Sequence, residues 1–148
     1  MDLRKELAED VDGKTLNYCF SCGMCTGGCP SAMMTESEYN PRRILHRAVI
    51  EGKLEDDIWL CTNCYLCQER CPTKTKVADL ISLMRRVYVK HKSIPDFIKP
   101  LVVNLGACGF TQHIGELENK RRKRMNLPEI KHTSEIRKIL KKTGGLYE

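Results

Sequence analysis

Eight of the nine cysteines in this 148-residue chain fall into two runs of identical spacing. The first is Cys19, Cys22, Cys25 and Cys29, followed by Pro30; the second is Cys61, Cys64, Cys67 and Cys71, followed by Pro72. Three cysteines at this interval curl their sulfurs around one face of an iron–sulfur cubane and leave one iron for a more distant thiolate. Where two such runs share a chain, the fourth cysteine of each serves the cluster of the other. The proline fixes φ where the backbone leaves the cage and removes a donor. The runs therefore predict two [4Fe–4S] clusters.

Zinc and disulfides compete for the same residues. Structural zinc sites use separated C-x2-C knuckles, or mix cysteine with histidine, and neither layout matches these runs. Disulfides suit small secreted domains. The N-terminus, Met1-Asp2-Leu3-Arg4-Lys5-Glu6, is followed by no apolar leader region. The ninth cysteine, Cys108, sits among small and apolar residues and reads as a core residue.

The residues around the runs carry further expectations. Tyr18 and Phe20 bracket the first ligand and are expected to cover a cluster. Gly23, Gly27 and Gly28 lie inside the first run, where glycine lets backbone N–H groups approach inorganic sulfur. The second run has no glycine, so the two clusters should differ in environment. Trp59 is expected to pack against a cluster and exclude water.

Helices must hold these runs. Leu3, Leu7 and Val11 suggest a short amphipathic helix, or an arm, before the first run. Between the runs, Asn40 is a fair N-cap and Pro41 a good first helical residue. Ile44, Leu45, Ala48 and Val49 form a stripe that Gly52 ends, predicting about three turns. Val77, Leu80, Ile81, Met84, Val87 and Tyr88 trace another helix, with Arg85, Arg86 and Lys90 mostly on its solvent side. Phe97 to Leu105 suggests a further helix that Pro100 would kink or divide. Ile136, Ile139 and Leu140 hint at a last short helix in a basic tail whose densest block is Lys120-Arg-Arg-Lys-Arg124.

Length suits one domain with a modest core, which cluster binding would staple. A net charge of +6 permits an acidic protein, an anionic membrane or nucleic acid as partner. No aromatic platform accompanies the basic block, which argues against nucleic acid. No apolar run is long enough to span a membrane. Free thiols in cluster motifs fit a reducing compartment, hence the cytoplasm. The chain holds no nucleotide-binding glycine loop, no zinc-protease motif and no serine-nucleophile elbow.

Two such runs separated by a helical linker resemble the α-helical ferredoxin domain of succinate dehydrogenase iron–sulfur subunits and related electron-transfer subunits. More narrowly, Asn40-Pro-Arg-Arg-Ile-Leu45 and Ile58-Trp-Leu-Cys-Thr-Asn-Cys-Tyr-Leu-Cys-Gln-Glu-Arg-Cys-Pro72 resemble the C subunit of heterodisulfide reductase. The resemblance covers about residues 15–105. It implies a mainly α fold with an N-terminal arm (1–17), a two-cluster helical ferredoxin domain (18–105) and a basic C-terminal extension (106–148). It implies one cluster on Cys19, Cys22, Cys25 and Cys71, and the other on Cys61, Cys64, Cys67 and Cys29. It further implies a relay of single electrons, within a hetero-oligomer, from a flavin- and cluster-containing A subunit. The acceptor is a B subunit with Cys-Cys-Gly motifs that reduces the coenzyme M–coenzyme B heterodisulfide. This chain has no adjacent cysteine pair and is not expected to carry that active site. The alternative readings are a free ferredoxin-like carrier, or the iron–sulfur subunit of another complex such as a sulfur-oxidation or succinate-dehydrogenase-like one.

Overall fold

The computed structural model describes residues 3–10, 12–131 and 134–143. Among these residues the chain is helical and has no strand. It divides into two compact units, Met1–Ser93 and Ile94–Glu148. Both cysteine runs lie in the first. The compact units thus meet at Ser93–Ile94, not at the 105–106 boundary expected from sequence.

The first unit opens with α1 (Leu3–Glu9), which buries Leu7 and packs on later helices of the unit. α1 is therefore anchored to this unit's core through Leu7 and does not form a separate arm. Val11 and the side chain of Leu3 lie outside the described residues. A 3-10 turn, Gly13–Tyr18, leads to the first run. Gly13 approaches the Leu7 carbonyl so closely that a Cβ there would stand 1.5 Å from the oxygen. Within the run lies α2 (Met24–Gly27), and after Cys29 comes α3 (Pro30–Met34).

The linker helix forms where its caps predict it, as α4 (Pro41–Ile50). Asn40 Oδ1 accepts the N–H of Arg43 at 3.0 Å, satisfying a donor that the first turn cannot. Ile44, Leu45 and Ala48 are buried, while Val49 faces out. A second 3-10 turn, Asp56–Leu60, precedes the second run, which contains α5 (Leu66–Glu69). The long α6 (Val77–His91) then buries all six residues of its predicted stripe. Its side chains, with Ile44, Leu45, Ala48 and Ile58, make one core that the cysteine runs cap.

The second unit contains α7 (Lys99–Cys108), α8 (Glu116–Arg124) and α9 (Ser134–Thr143). Pro100 does not kink α7. It occupies the first turn, where the missing N–H would have no intrahelical partner, and Phe97 and Ile98 precede the helix. α9 packs on α7. The basic block is helical, a feature that its sequence did not suggest. Glu118 accepts the N–H of Gly115 at 2.9 Å to start α8. Arg121 to Arg124 form the last turn, where positive charge suits the helix dipole. Asn119 then exchanges two hydrogen bonds with Ile130, laying the following segment back along α8. No helix among the described residues is long and apolar enough to cross a membrane.

Candidate metal centres

The 42-residue repeat of the cysteines is also a repeat of backbone structure. Ser21 and Gly23 flank Cys22 with φ of 54° and 82°; Asn63 and Tyr65 flank Cys64 with φ of 51° and 63°. Thr26 N–H bonds the carbonyl of Gly23, and Gln68 N–H that of Tyr65. Cys29 N–H reaches the carbonyl of Thr26, and Cys71 N–H that of Gln68. Each run thus makes a left-handed step, one short helix and an exit at the fourth cysteine. Glycine makes the step readily at Gly23. At the matching place Tyr65 must hold a conformation that side chains resist. Its hydroxyl donates to Asp79 Oδ1 at 3.1 Å, which pins it there. A Cβ on Gly27 would meet no protein atom within 4 Å.

Each short helix is tied to the first turn of the long helix that follows. In the first half, Thr26 Oγ1 donates to Asn40 Oδ1 at 2.9 Å and accepts the N–H of Arg42 at 3.1 Å. In the second, Gln68 Nε2 donates to Asp79 Oδ2 at 2.9 Å and its Oε1 accepts the Asp79 N–H. α6 braces the second run further. Asn63 Nδ2 donates to Ser82 Oγ, and Arg85 donates to the carbonyls of Ile58 and Cys61 at 3.0 and 2.6 Å. Arg85 is therefore a bracing residue, contrary to the solvent-side position expected for it. The carbonyls of Ile58, ahead of the run, and of Cys61, its first cysteine, take the guanidinium, a partnership that no spacing in the sequence announces.

The halves interleave. One recess is lined by Cys19, Cys22 and Cys25 from the first run together with Cys71 from the second. Around Cys67 gather Cys61 and Cys64 of its own run, and Cys29 and Cys25 of the other. Burial and these neighbouring thiols push Cys67 up to about 12. Burial and, more weakly, Cys19 and Cys22 push Cys25 up as well. Burial also pushes Cys71 up, but hydrogen bonds from Thr73 and Thr75 outweigh it and bring that thiol below its ordinary value. The two groups adjoin at Cys25 and Cys67, where α2 packs on α5. Thiols crowded in this way resist ionising together unless a cation neutralises them, which coordinated iron does. A set of soft sulfur donors ringing a recess fits an iron–sulfur cluster. Among the described residues, no three His, Cys, Asp or Glu side chains converge on a single mononuclear ion position.

Sequence reasoning missed Tyr39. Its side chain is 1% exposed and lies against Cys61, Cys29 and Cys67, where burial first, then a hydrogen bond to Cys61, holds the phenol well above its ordinary range. Its position just before the Asn40 cap was the available signal. Trp59 takes a different place from the one expected. Its ring meets Tyr88 edge-on at 6.1 Å and lies under Arg85, so it packs on α6. Phe20 lines the recess while remaining 79% exposed, and Tyr18 is exposed outside it.

Residues 15–75 match the family model described as a 4Fe-4S dicluster domain. The chain is 34% identical to the C subunit of the H(2):CoB-CoM heterodisulfide,ferredoxin reductase of Methanothermobacter marburgensis, over 97% of this chain and 84% of that protein. This chain belongs to the family of heterodisulfide reductase C subunits. Another member is the C subunit of the Ferredoxin/F(420)H(2)-dependent CoB-CoM heterodisulfide reductase of Methanosarcina acetivorans, 37% identical over 83% of this chain and 77% of that one. A third, from Methanopyrus kandleri, is named as the iron-sulfur C subunit of a CoB–CoM heterodisulfide reductase. It is 28% identical over 95% of this chain and 78% of its own. The C-subunit family thus accounts for nearly the whole chain, both compact units included.

Cys108 belongs to neither run. It is buried at the end of α7 in the second unit, with its Sγ 3.3 Å from the carbonyl of Asn104. Cys108→Ala is expected to leave the iron content of the chain unchanged. Loss of iron in that variant would make the ninth thiol a ligand.

Proposed function

We propose that this chain is the two-cluster electron relay of a heterodisulfide reductase complex, in a reducing, cytoplasmic setting. Cys19, Cys22, Cys25 and Cys71 would hold one [4Fe–4S] cluster, and Cys61, Cys64, Cys67 and Cys29 the other. Such clusters supply one-electron acceptance and donation. The observation that carries the reading is the layout of the thiols. Cys22 and Cys64 are exposed, while Cys25 and Cys67, both half-buried, adjoin each other. Each group therefore has an outer end that a partner can approach and an inner end facing its twin.

A relay of this kind takes electrons from a flavin- and cluster-containing subunit at one end. At the other it hands them to a Cys-Cys-Gly protein that reduces the coenzyme M–coenzyme B disulfide. The basic last turn of α8 offers charge for steering such partners, an effect that added salt screens. The test is disulfide reduction with a chemical electron donor. The purified loaded chain should be reduced and reoxidised without turnover, and adding the Cys-Cys-Gly protein should restore turnover, less so at high salt. Steady turnover by the chain alone would place a catalytic site here and overturn the relay.

A further inference from the structure

We infer that Thr73 is a positioning residue for the cluster served by Cys71: its hydroxyl, held by Thr75, donates to the Cys71 sulfur and raises that cluster's reduction potential. The inference rests on the ligand set proposed above. Thr73 Oγ1 stands 3.3 Å from Cys71 Sγ and 2.9 Å from Thr75 Oγ1. Thr75 is completely buried, and both threonines line the recess that holds Cys19, Cys22, Cys25 and Cys71.

Proton placement follows from chemistry. A metal-bound thiolate accepts hydrogen bonds and cannot donate one. The Thr73 proton must therefore point at the sulfur, and the Thr73 oxygen is left to accept from the Thr75 hydroxyl. The buried Thr75 has its donor satisfied by this arrangement, and two hydroxyls in series polarise one another. A hydrogen bond to ligand sulfur draws off electron density and favours the more negative, reduced cluster.

The pair belongs to one half only. At the matching places after Cys29 stand Ser31 and Met33. There the chain enters α3 directly, so those side chains project from a helix; after Cys71 it makes a non-helical turn that folds Thr73 back on the sulfur. The repeat is thus broken where tuning one cluster against the other would require it.

The test is an anaerobic redox titration of the loaded full-length chain, followed by electron paramagnetic resonance. Thr73→Val should lower the midpoint of one cluster by roughly a tenfold change in its reduced-to-oxidised ratio, ~59 mV for one electron, and leave the other unmoved. Thr73→Ser keeps the hydroxyl and should titrate as the parent does. Thr75→Val should move the same cluster in the same direction by less. An unmoved midpoint in Thr73→Val, or equal movement of both clusters, overturns the inference. Should Thr73→Val fail to load, an unmoved midpoint in Thr75→Val overturns it instead. The moved signal should be the one that Cys19→Ala abolishes. If Cys61→Ala abolishes it instead, the crossed ligand set is wrong while the hydroxyl effect stands.

Discussion

A chain carrying Cys71→Ala is expected to lose the cluster begun by the first run and to keep the one begun by its own. Cys71 lines a recess with Cys19, Cys22 and Cys25, whereas Cys67 has Cys61 and Cys64 of its own run around it together with Cys29 and Cys25 of the other. The reason lies in the local fold. Each run carries its third cysteine in one short helix, α2 or α5, and these helices pack on each other. The exit from each helix therefore delivers its fourth cysteine to the neighbouring half. Removing that sulfur leaves three thiolates and an open iron, and about half the iron should be lost from the purified chain. Cys29→Ala should do the converse. Magnetic resonance of the two variants, compared with Cys19→Ala and Cys61→Ala, sorts the four into two matching pairs. Pairing of Cys71 with Cys61 would mean that each run holds its own cluster.

The second large effect is expected at Arg47, far from the ligands in sequence but attached to the approach of the second run. It is a buried residue of α4 whose guanidinium meets Asp57 at 2.6 Å and Glu55 at 2.9 Å. Asp57, in the turn that leads to Cys61, is itself nearly covered, with a side chain 11% exposed; Glu55 is open to water. Removing the arginine leaves Asp57 as an uncompensated, largely desolvated charge. Arg47→Ala should therefore cost about 3–5 kcal/mol of stability, most of it from that stranded carboxylate. Arg47→Met, which restores most of the volume, should recover little. Adding Asp57→Leu to Arg47→Met should recover much of the loss, because the pair is then replaced by apolar contact. Denaturant midpoints of the loaded chains measure all three. Near-equal stability of Arg47→Ala and the parent would show the pair to be solvated.

How far the sequence disclosed this molecule depends on the range of the contacts concerned. The α4 cap at Asn40 and the α6 stripe from Val77 to Tyr88 are local, and residue type at fixed spacing announces them. The cysteine spacing likewise announces the cluster chemistry, and the flanking residues of the runs announce the family. Contacts that join distant segments were not legible. Arg85 binds backbone carbonyls that carry no residue identity, so its spacing on α6 suggested only a solvated face. Tyr39 is buried against sulfurs from both runs, 22 residues before Cys61 in the chain. The basic α8 has no apolar stripe. It is held by Asn119 and by the favourable order of its charges, which hydrophobic periodicity does not register.

Eight thiols in two interleaved sets are expected to hold two [4Fe–4S] clusters. The most direct measurement is the content of iron, acid-labile sulfide and zinc per chain after anaerobic purification. Two cubanes predict about eight iron and about eight sulfide per chain, with no stoichiometric zinc. One or two zinc ions per chain, with little iron and no sulfide, would contradict this expectation.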